Sequence, residues 1–278
     1  MTKEKIAIIL SLHRKWIDGD EDGARANLRG ADLHDANLTY ANLAYANLTG
    51  ANLACADLHG ANLADANLTG ANLTDAYLRG AYLHDANLAG ANLACADLHG
   101  ANLADANLHG AYLTDAYLRG AYLHGANLAD ANLHGAYLTY ANLTGANLRD
   151  AYLRGAYLHG ANLADANLHG AYLTDAYLPH FQICPEEGDF VGWKSLKGGV
   201  ICKVLIPAEA KRTSSLVGRK CRSEFVKVLE GEGVDRHTGK LKYAPGKIVR
   251  PDSFDDNIRV ECSHGIHFFV TRREASQW

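Results

Sequence analysis

Apolar positions recur along more than half of this chain with a period of five. Alanine occupies every fifth position from Ala26 to Ala176 and leucine every fifth from Leu28 to Leu178, so the unit Ala-(Asn/Asp/Tyr)-Leu-x-x repeats thirty-one times without an insertion. A fixed short period marks a repeat architecture. An α-helix would carry the leucine about 140° around at each unit and smear it over the surface. A flat strand would send successive leucines to opposite faces, because five is odd. Both apolar positions stay inside only if the chain turns a corner once per unit. With a square cross-section, four units make a twenty-residue coil and the thirty-one units give 7.75 coils. Stacked at about 4.8 Å, like strands of a sheet, they form a rod on the order of 37 Å long.

The pattern changes on both sides of this tract. Ile6, Ile9, Leu10, His13, Trp16 and Ile17 recur at three- and four-residue spacings, which predicts an amphipathic helix over residues 3–18 with Thr2 as N-cap. The cluster Asp18-Gly19-Asp20-Glu21-Asp22-Gly23 stops it. Stacked coils leave an apolar end and open strand edges, so residues 1–25 are expected to cap that end; a target-binding helix is the alternative. Pro179 ends the repeat, and every lysine outside the helix lies beyond it. Strand-like runs follow at Asp189–Leu196, Val200–Ile206, Glu224–Leu229 and Ile266–Val270. Thr271-Arg272-Arg273-Glu274 reads as a capping box that opens a terminal helix. Residues 179–278 are therefore expected to form a small, mainly β (α+β) domain with its own core.

The Ala-Asn-Leu and Ala-Asp-Leu units over residues 26–178 resemble the pentapeptide repeat family. That resemblance implies an all-β solenoid, a right-handed quadrilateral β-helix with the central leucine and the small residue two before it pointing inward. Three stretches of the tail, Glu186 to Lys194, Lys211 to Ser214 with Gly218 to Arg222, and Glu261 to Phe269, resemble an uncharacterised domain that follows pentapeptide repeats in phage and bacterial proteins. This second resemblance implies a shared fold and brings no reaction with it.

Sorting the tract by position modulo twenty assigns residues to four faces. The residue before leucine is Asn27, Asn47, Asn67, Asn87, Asn107, Asn127, Asn147 and Asn167 on the first face, a column whose amides can form a structural ladder. On the third face the same position becomes Tyr117, Tyr137, Tyr157 and Tyr177, with Tyr152 and Tyr172 on the second face. Stacked rings stabilise a sheet, and this strip is also the leading contact surface. Asp65, Asp85 and Asp105 stack on the fourth face, and His59, Arg79, His99 and Arg119 alternate on the third. A solvated face and a binding face are both open for the acidic column. Cys55 and Cys95 stand two coils apart, too far for a disulfide. Residues 50–68 recur at 90–108 and residues 99–118 at 159–178, shifts of whole coils that preserve the faces.

Charge narrows the function classes. The net charge of −4 divides into zero over residues 1–25, −8 over the repeat and +4 over the tail, far from the basic balance of a typical nucleic-acid binder. Neither a signal peptide nor a membrane span is expected. Six cysteines without a framework spacing suggest free thiols and a cytoplasmic setting. No phosphate loop or dinucleotide fingerprint occurs, so no cofactor is expected.

In the tail, Cys184, Cys202, Cys221, Cys262, His264 and His267 are of zinc-ligand type, but their gaps lack a Cys-x-x-Cys knuckle. Cys221 between Lys220 and Arg222 is expected to have a lowered thiol pKa, and with His264 or His267 could form a nucleophile–base pair; buried core cysteine is the alternative. The run Lys211, Arg212, Arg219, Lys220 and Arg222 could bind phosphate or acidic surface. The leading expectation is a non-enzymatic interaction or scaffold protein, with a rigid rod that binds a protein partner and with phage or mobile-element connections. Two alternatives stand beside it. One is DNA mimicry directed at DNA gyrase, as the family resemblance allows; the other is an enzymatic or modifying activity in the tail. The oligomeric state stays open.

Overall fold

In the computed structural model, which describes residues 1–179, 183–237, 239–259 and 263–278, the residue before each leucine forms a parallel bridge with the residue twenty positions on, from Asn27 with Asn47 to Tyr157 with Tyr177. Twenty residues per coil and five per unit make the coil four-sided. In a unit with Asn before Leu, such as residues 47–51, every backbone donor is matched. Asn47 N–H donates to Ala26 O at 2.9 Å, Leu48 N–H to Asn67 O at 2.7 Å and Gly50 N–H to Thr69 O at 2.9 Å, all between coils. Ala51 N–H closes a turn onto Leu48 O at 3.0 Å, and Thr49 N–H donates to the Asn47 side-chain oxygen at 3.2 Å. All five donors are accounted for, as burial of a backbone demands.

The turn biases the fifth position toward glycine and aspartate, with Tyr40, Tyr45, Tyr140, Cys55 and Cys95 as the other occupants. The third residue of a type II turn needs φ > 0, and the fifth residue of the units supplies it: Asp65, Asp85 and Asp105 lie at φ 56°, 58° and 56°, and Gly90 at 63°. Glycine escapes the Cβ penalty there and aspartate tolerates it better than most residues. Inside the coil the leucines from Leu28 to Leu158 are at most 1% exposed. The core is thus a stack of leucine and alanine layers, and the corners project everything else outward.

Helix α1 spans Lys3–Asp18, with the Thr2 hydroxyl accepting from Lys5 N–H and left-handed Gly19 as C-cap. Its contact with the first coil centres on His13, fully buried, whose Nδ1 accepts from Ala26 N–H at 3.1 Å. Trp16 stacks on His13 and meets Tyr45 edge-on. The chain then doubles back so closely that a Cβ on Gly23 would run into the Trp16 backbone. The predicted apolar stripe is only partly covered: Ile6, Ile9, Leu10 and Ile17 are half-buried and Trp16 is exposed. A narrow helix cannot shield its whole apolar face on one coil edge.

The chain divides into two compact domains, Met1–His180 and Phe181–Trp278. In the second, strands β1 (Phe190–Ser195), β2 (Ile201–Ile206), β3 (Arg212–Ser214), β4 (Cys221–Ser223), β5 (Val226–Glu230), β6 (Gly233–Val234), β7 (Lys242–Tyr243), β8 (Ile248–Val249) and β9 (Ile266–Phe268) precede helix α2 (Arg272–Ser276). They form antiparallel sheets in the orders β1-β2-β5-β8, β3-β4-β9 and β6-β7. Cys202, Val204 and Ile206 alternate inward on β2 and pack with Val226, Val228, Tyr243 and Phe268. Helix α2 opens on the expected capping box, with Thr271 and Glu274 bonded reciprocally. The four predicted runs fall on β1, β2, β5 and β9; the shorter strands are too brief to carry a period.

Candidate functional site

On the repeat, Tyr117, Tyr137, Tyr157 and Tyr177 stack with ring centroids 5.0, 4.9 and 4.7 Å apart, at the coil spacing, and nearly parallel planes. His99 extends the column at 6.1 Å, and Tyr152 and Tyr172 stack at 4.9 Å on the adjoining face. Tyr117, Tyr137 and Tyr177 are exposed. The result is two fixed aromatic strips on neighbouring faces.

The asparagine column carries two kinds of bond. Side-chain amides link Asn47 to Asn27, Asn107 to Asn87, Asn127 to Asn107, Asn147 to Asn127 and Asn167 to Asn147 at 3.0–3.4 Å. At Asn47 and Asn67 the side-chain oxygen takes the hydroxyl of Thr49 and Thr69 at 2.7 Å. Asp65, Asp85 and Asp105 are exposed and occupy the left-handed corners already described. Asp85 lies 3.2 Å from the His84 ring, Asp97 lies 2.6 Å from the His99 ring and 3.8 Å from Arg79, and Asp150 lies 3.1 Å from Arg149.

The basic run of the tail does not make one surface. Lys211 is exposed. Arg212 donates to Gly188 O at 2.7 Å and Ala208 O at 3.0 Å, and Arg219 pairs with Glu274 at 2.8 Å. Lys220 is 2% exposed and lies over the Trp278 ring, and Arg222 is 1% exposed, donating to Asn257 O at 2.5 Å.

Cys221 also departs from expectation. It is fully buried on β4, and side chains alternate across a strand, so those of Lys220 and Arg222 leave on the opposite side. Its partners are Ser214, at 3.8 Å, and Cys184, itself 3.3 Å from the Ser214 hydroxyl. The hydrogen bond with Cys184, and burial after it, push the Cys221 thiol up. The expected lowering is reversed, and Cys221 is no activated nucleophile. Cys202 sits in the β2 core, where burial pushes its thiol up to about 11. Cys262 lies outside the described residues. Among those described, the tail's cysteines do not converge with His264 and His267 on a metal-sized cluster.

His264 and His267 instead line a cavity of about 300 Å³ together with Lys194, Asp235 and Tyr243. Two strand contacts build it. Trp193 and Phe269 exchange backbone bonds at 2.7 and 2.8 Å, fixing β1 beside β9, and His267 pairs in register with Arg222 of β4. Lys194 follows Trp193, so its Nζ reaches the His267 carbonyl at 3.2 Å and stands 5.7 Å from the Tyr243 ring centre. Lys194 is 8% exposed; burial lowers its pKa to about 8, opposed by the Asp235 carboxylate. Burial, with Lys194 and Lys220 nearby, brings His267 down to about 4.

The imidazole is therefore neutral near pH 7. Its Nε2 is buried without a partner, while a hydrogen bond with the Ser263 backbone favours the protonated ring. A neutral imidazole carries its proton on one nitrogen or the other, so Nε2 can serve as acceptor or donor to a group placed against it. The Tyr243 hydroxyl is likewise buried and unpartnered, and burial raises its pKa, so it stays a donor. Lys194 and Tyr243 were not singled out from the sequence: they are far apart in the chain, and no local motif links them.

Comparison with known proteins divides the chain at the same place. The pentapeptide repeats model (8 copies) matches residues 24–178 in overlapping stretches, and the model of a family of unknown function, DUF5758, matches residues 180–275. Among solved structures, a pentapeptide repeat protein of the Arabidopsis thaliana thylakoid lumen is 36% identical over 36% of this chain and 69% of its own, with a TM-score of 0.35. HetL of the cyanobacterium Nostoc sp. PCC 7120, a pentapeptide repeat protein involved in heterocyst differentiation regulation, is 34% identical over 59% of this chain and 92% of its own, with a TM-score of 0.26. QnrB1, a plasmid-mediated fluoroquinolone resistance protein, is 20% identical over 57% and 84%, with a TM-score of 0.44. A search of curated proteins gave no match.

Proposed function

Because the chain belongs to the pentapeptide repeat family, we propose that it is a non-enzymatic interaction protein whose repeat tract is a rigid surface for a protein partner. One observation carries this reading: the exposed, stacked tyrosines of two adjoining faces. Tyrosine gives a large contact area with an edge that can hydrogen-bond, and is enriched at the centres of protein interfaces. The columns are ordered before a partner arrives, because bonds between coils, such as Tyr117 N–H to Ala96 O and Tyr137 N–H to Ala116 O, hold the backbone beneath them. Pre-ordering reduces the entropy lost on binding.

A DNA-like surface would need a continuous run of negative charge. Here Arg79, His99 and Arg149 stand among the aspartates, which favours a mixed protein surface over duplex mimicry. No helix among the described residues is long and apolar enough to cross a membrane.

The test is affinity capture from bacterial lysate, with and without phage infection, using the full chain and a Tyr117→Ser/Tyr137→Ser/Tyr157→Ser variant. The partner is expected to be retained by the native chain and lost from the variant while circular dichroism stays unchanged. Equal capture by both proteins refutes the assignment of the strip.

A further inference from the structure

Each of the three tail stretches that carry the domain resemblance brings a side chain to the same region. Lys194 comes from the first and Lys220 from the second, and His264 and His267 come from the third; Lys194 and His267 stand on the wall of the 300 Å³ cavity and of a smaller adjoining one reached by Lys220. The use of this region is independent of whether the tyrosine strip binds a protein.

Its deepest polar groups specify a complement. Lys194 is 8% exposed and gives one hydrogen bond to the His267 carbonyl, so its ammonium has further N–H groups to offer. Asp235 is the nearby carboxylate, and its Oδ1 already accepts Leu241 N–H at 2.8 Å. Tyr243 is 1% exposed and its hydroxyl has no partner. The Nε2 of His267 is buried without a partner. Buried polar atoms of native proteins rarely stay unmatched, and a volume of this size lies at the low end of small-molecule pockets.

We propose that the cavity binds a small hydroxylated anion, a hydroxy carboxylate or the phosphate ester of a polyol. Its charged oxygens accept from Lys194 Nζ and the Tyr243 hydroxyl, and its neighbouring hydroxyl, donor and acceptor at once, pairs with His267 Nε2. A charged acceptor suits an ammonium with so little water around it, because charge-assisted bonds are the strong ones in such surroundings. The hydroxyl separates this ligand from a bare anion, because it matches Nε2 in either tautomer while the charged oxygens stay on Lys194 and Tyr243.

Isothermal titration of the full chain with glycerate, glycerol 3-phosphate and propionate tests the proposal. Binding of at least one hydroxylated anion at sub-millimolar concentration is expected, with propionate at least tenfold weaker. Which of the two binds better identifies the head group. Tyr243→Phe deletes one unpartnered oxygen and should fold as well as the native chain, yet weaken binding at least tenfold; Lys194→Met should do the same. Failure of both hydroxylated anions to bind below about 10 mM, or binding that survives Tyr243→Phe within twofold, overturns the proposal.

Discussion

Replacing Asn87 by alanine isolates what the asparagine column contributes. The Asn87 side-chain oxygen accepts from Ala89 N–H and from the Asn107 amide, both at 3.2 Å. A typical neutral hydrogen bond contributes about 0.5–1.5 kcal/mol net. Ala89 and Asn107 are half-buried, so water recovers part of the loss and the expected cost is about 1–2 kcal/mol. In a domain of this size that corresponds to a fall in Tm of roughly 4 °C. Asn87→Asp keeps an oxygen in the same place and should stay within about 0.5 kcal/mol of the native chain, as expected of a surface change that keeps its bonds. The repeat itself uses Asp32, Asp57 and Asp97 in this slot. Thermal and urea unfolding followed by circular dichroism at pH 7 read both variants. An alanine variant that melts with the native protein, or an aspartate variant that falls as far as alanine, would refute the claim that the column works through its acceptor oxygen.

Leu93→Ala removes a fully buried side chain from the middle of the stack and should cost about 2–5 kcal/mol in urea unfolding. His267, about 4 when folded against about 6.5 unfolded, makes the tail lose stability on acidification. Between these values the unfolded chain binds the extra proton, so stability falls as pH drops from 6.5 to 4, by at most about 3 kcal/mol; His267→Gln should flatten that limb in a pH series of melts. Thiol labelling mapped by mass spectrometry should modify exposed Cys95 in the native protein and Cys221 only after denaturation. Because partial desolvation, Asp75 and Asp115 raise the Cys95 pKa, its labelling should go on quickening as pH climbs beyond the ordinary thiol range.

What was legible in the sequence is what the core dictates. Leucine and alanine at a period of five leave room only for a corner at every unit, and sorting by twenty places Asn27 over Asn47 and Tyr117 over Tyr137, as the bridges do. The fifth position was harder to read. Its Gly and Asp look like a choice of surface polarity, and the positive φ that selects them is a property of the turn. Adjacency misled at Cys221, where neighbours in sequence point to opposite sides of a strand. The cavity was invisible for a different reason. Lys194, Tyr243 and His267 meet only because β1 and β9 bridge at Trp193 and Phe269, a non-local contact without a sequence period.

The four-sided coil turns a count of residues into an angle. Deleting one five-residue unit from the middle of the tract would leave every later leucine and alanine facing inward, yet rotate the whole downstream surface by a quarter revolution. The tyrosine column of Tyr117 to Tyr177 would then continue a different upstream column. Deleting four units would shorten the rod by one rise and rotate nothing. The core keeps no record of this phase, so only a partner that touches several coils at once could enforce it. The internal duplications, stepped by forty and sixty residues, are whole revolutions and leave the phase unchanged.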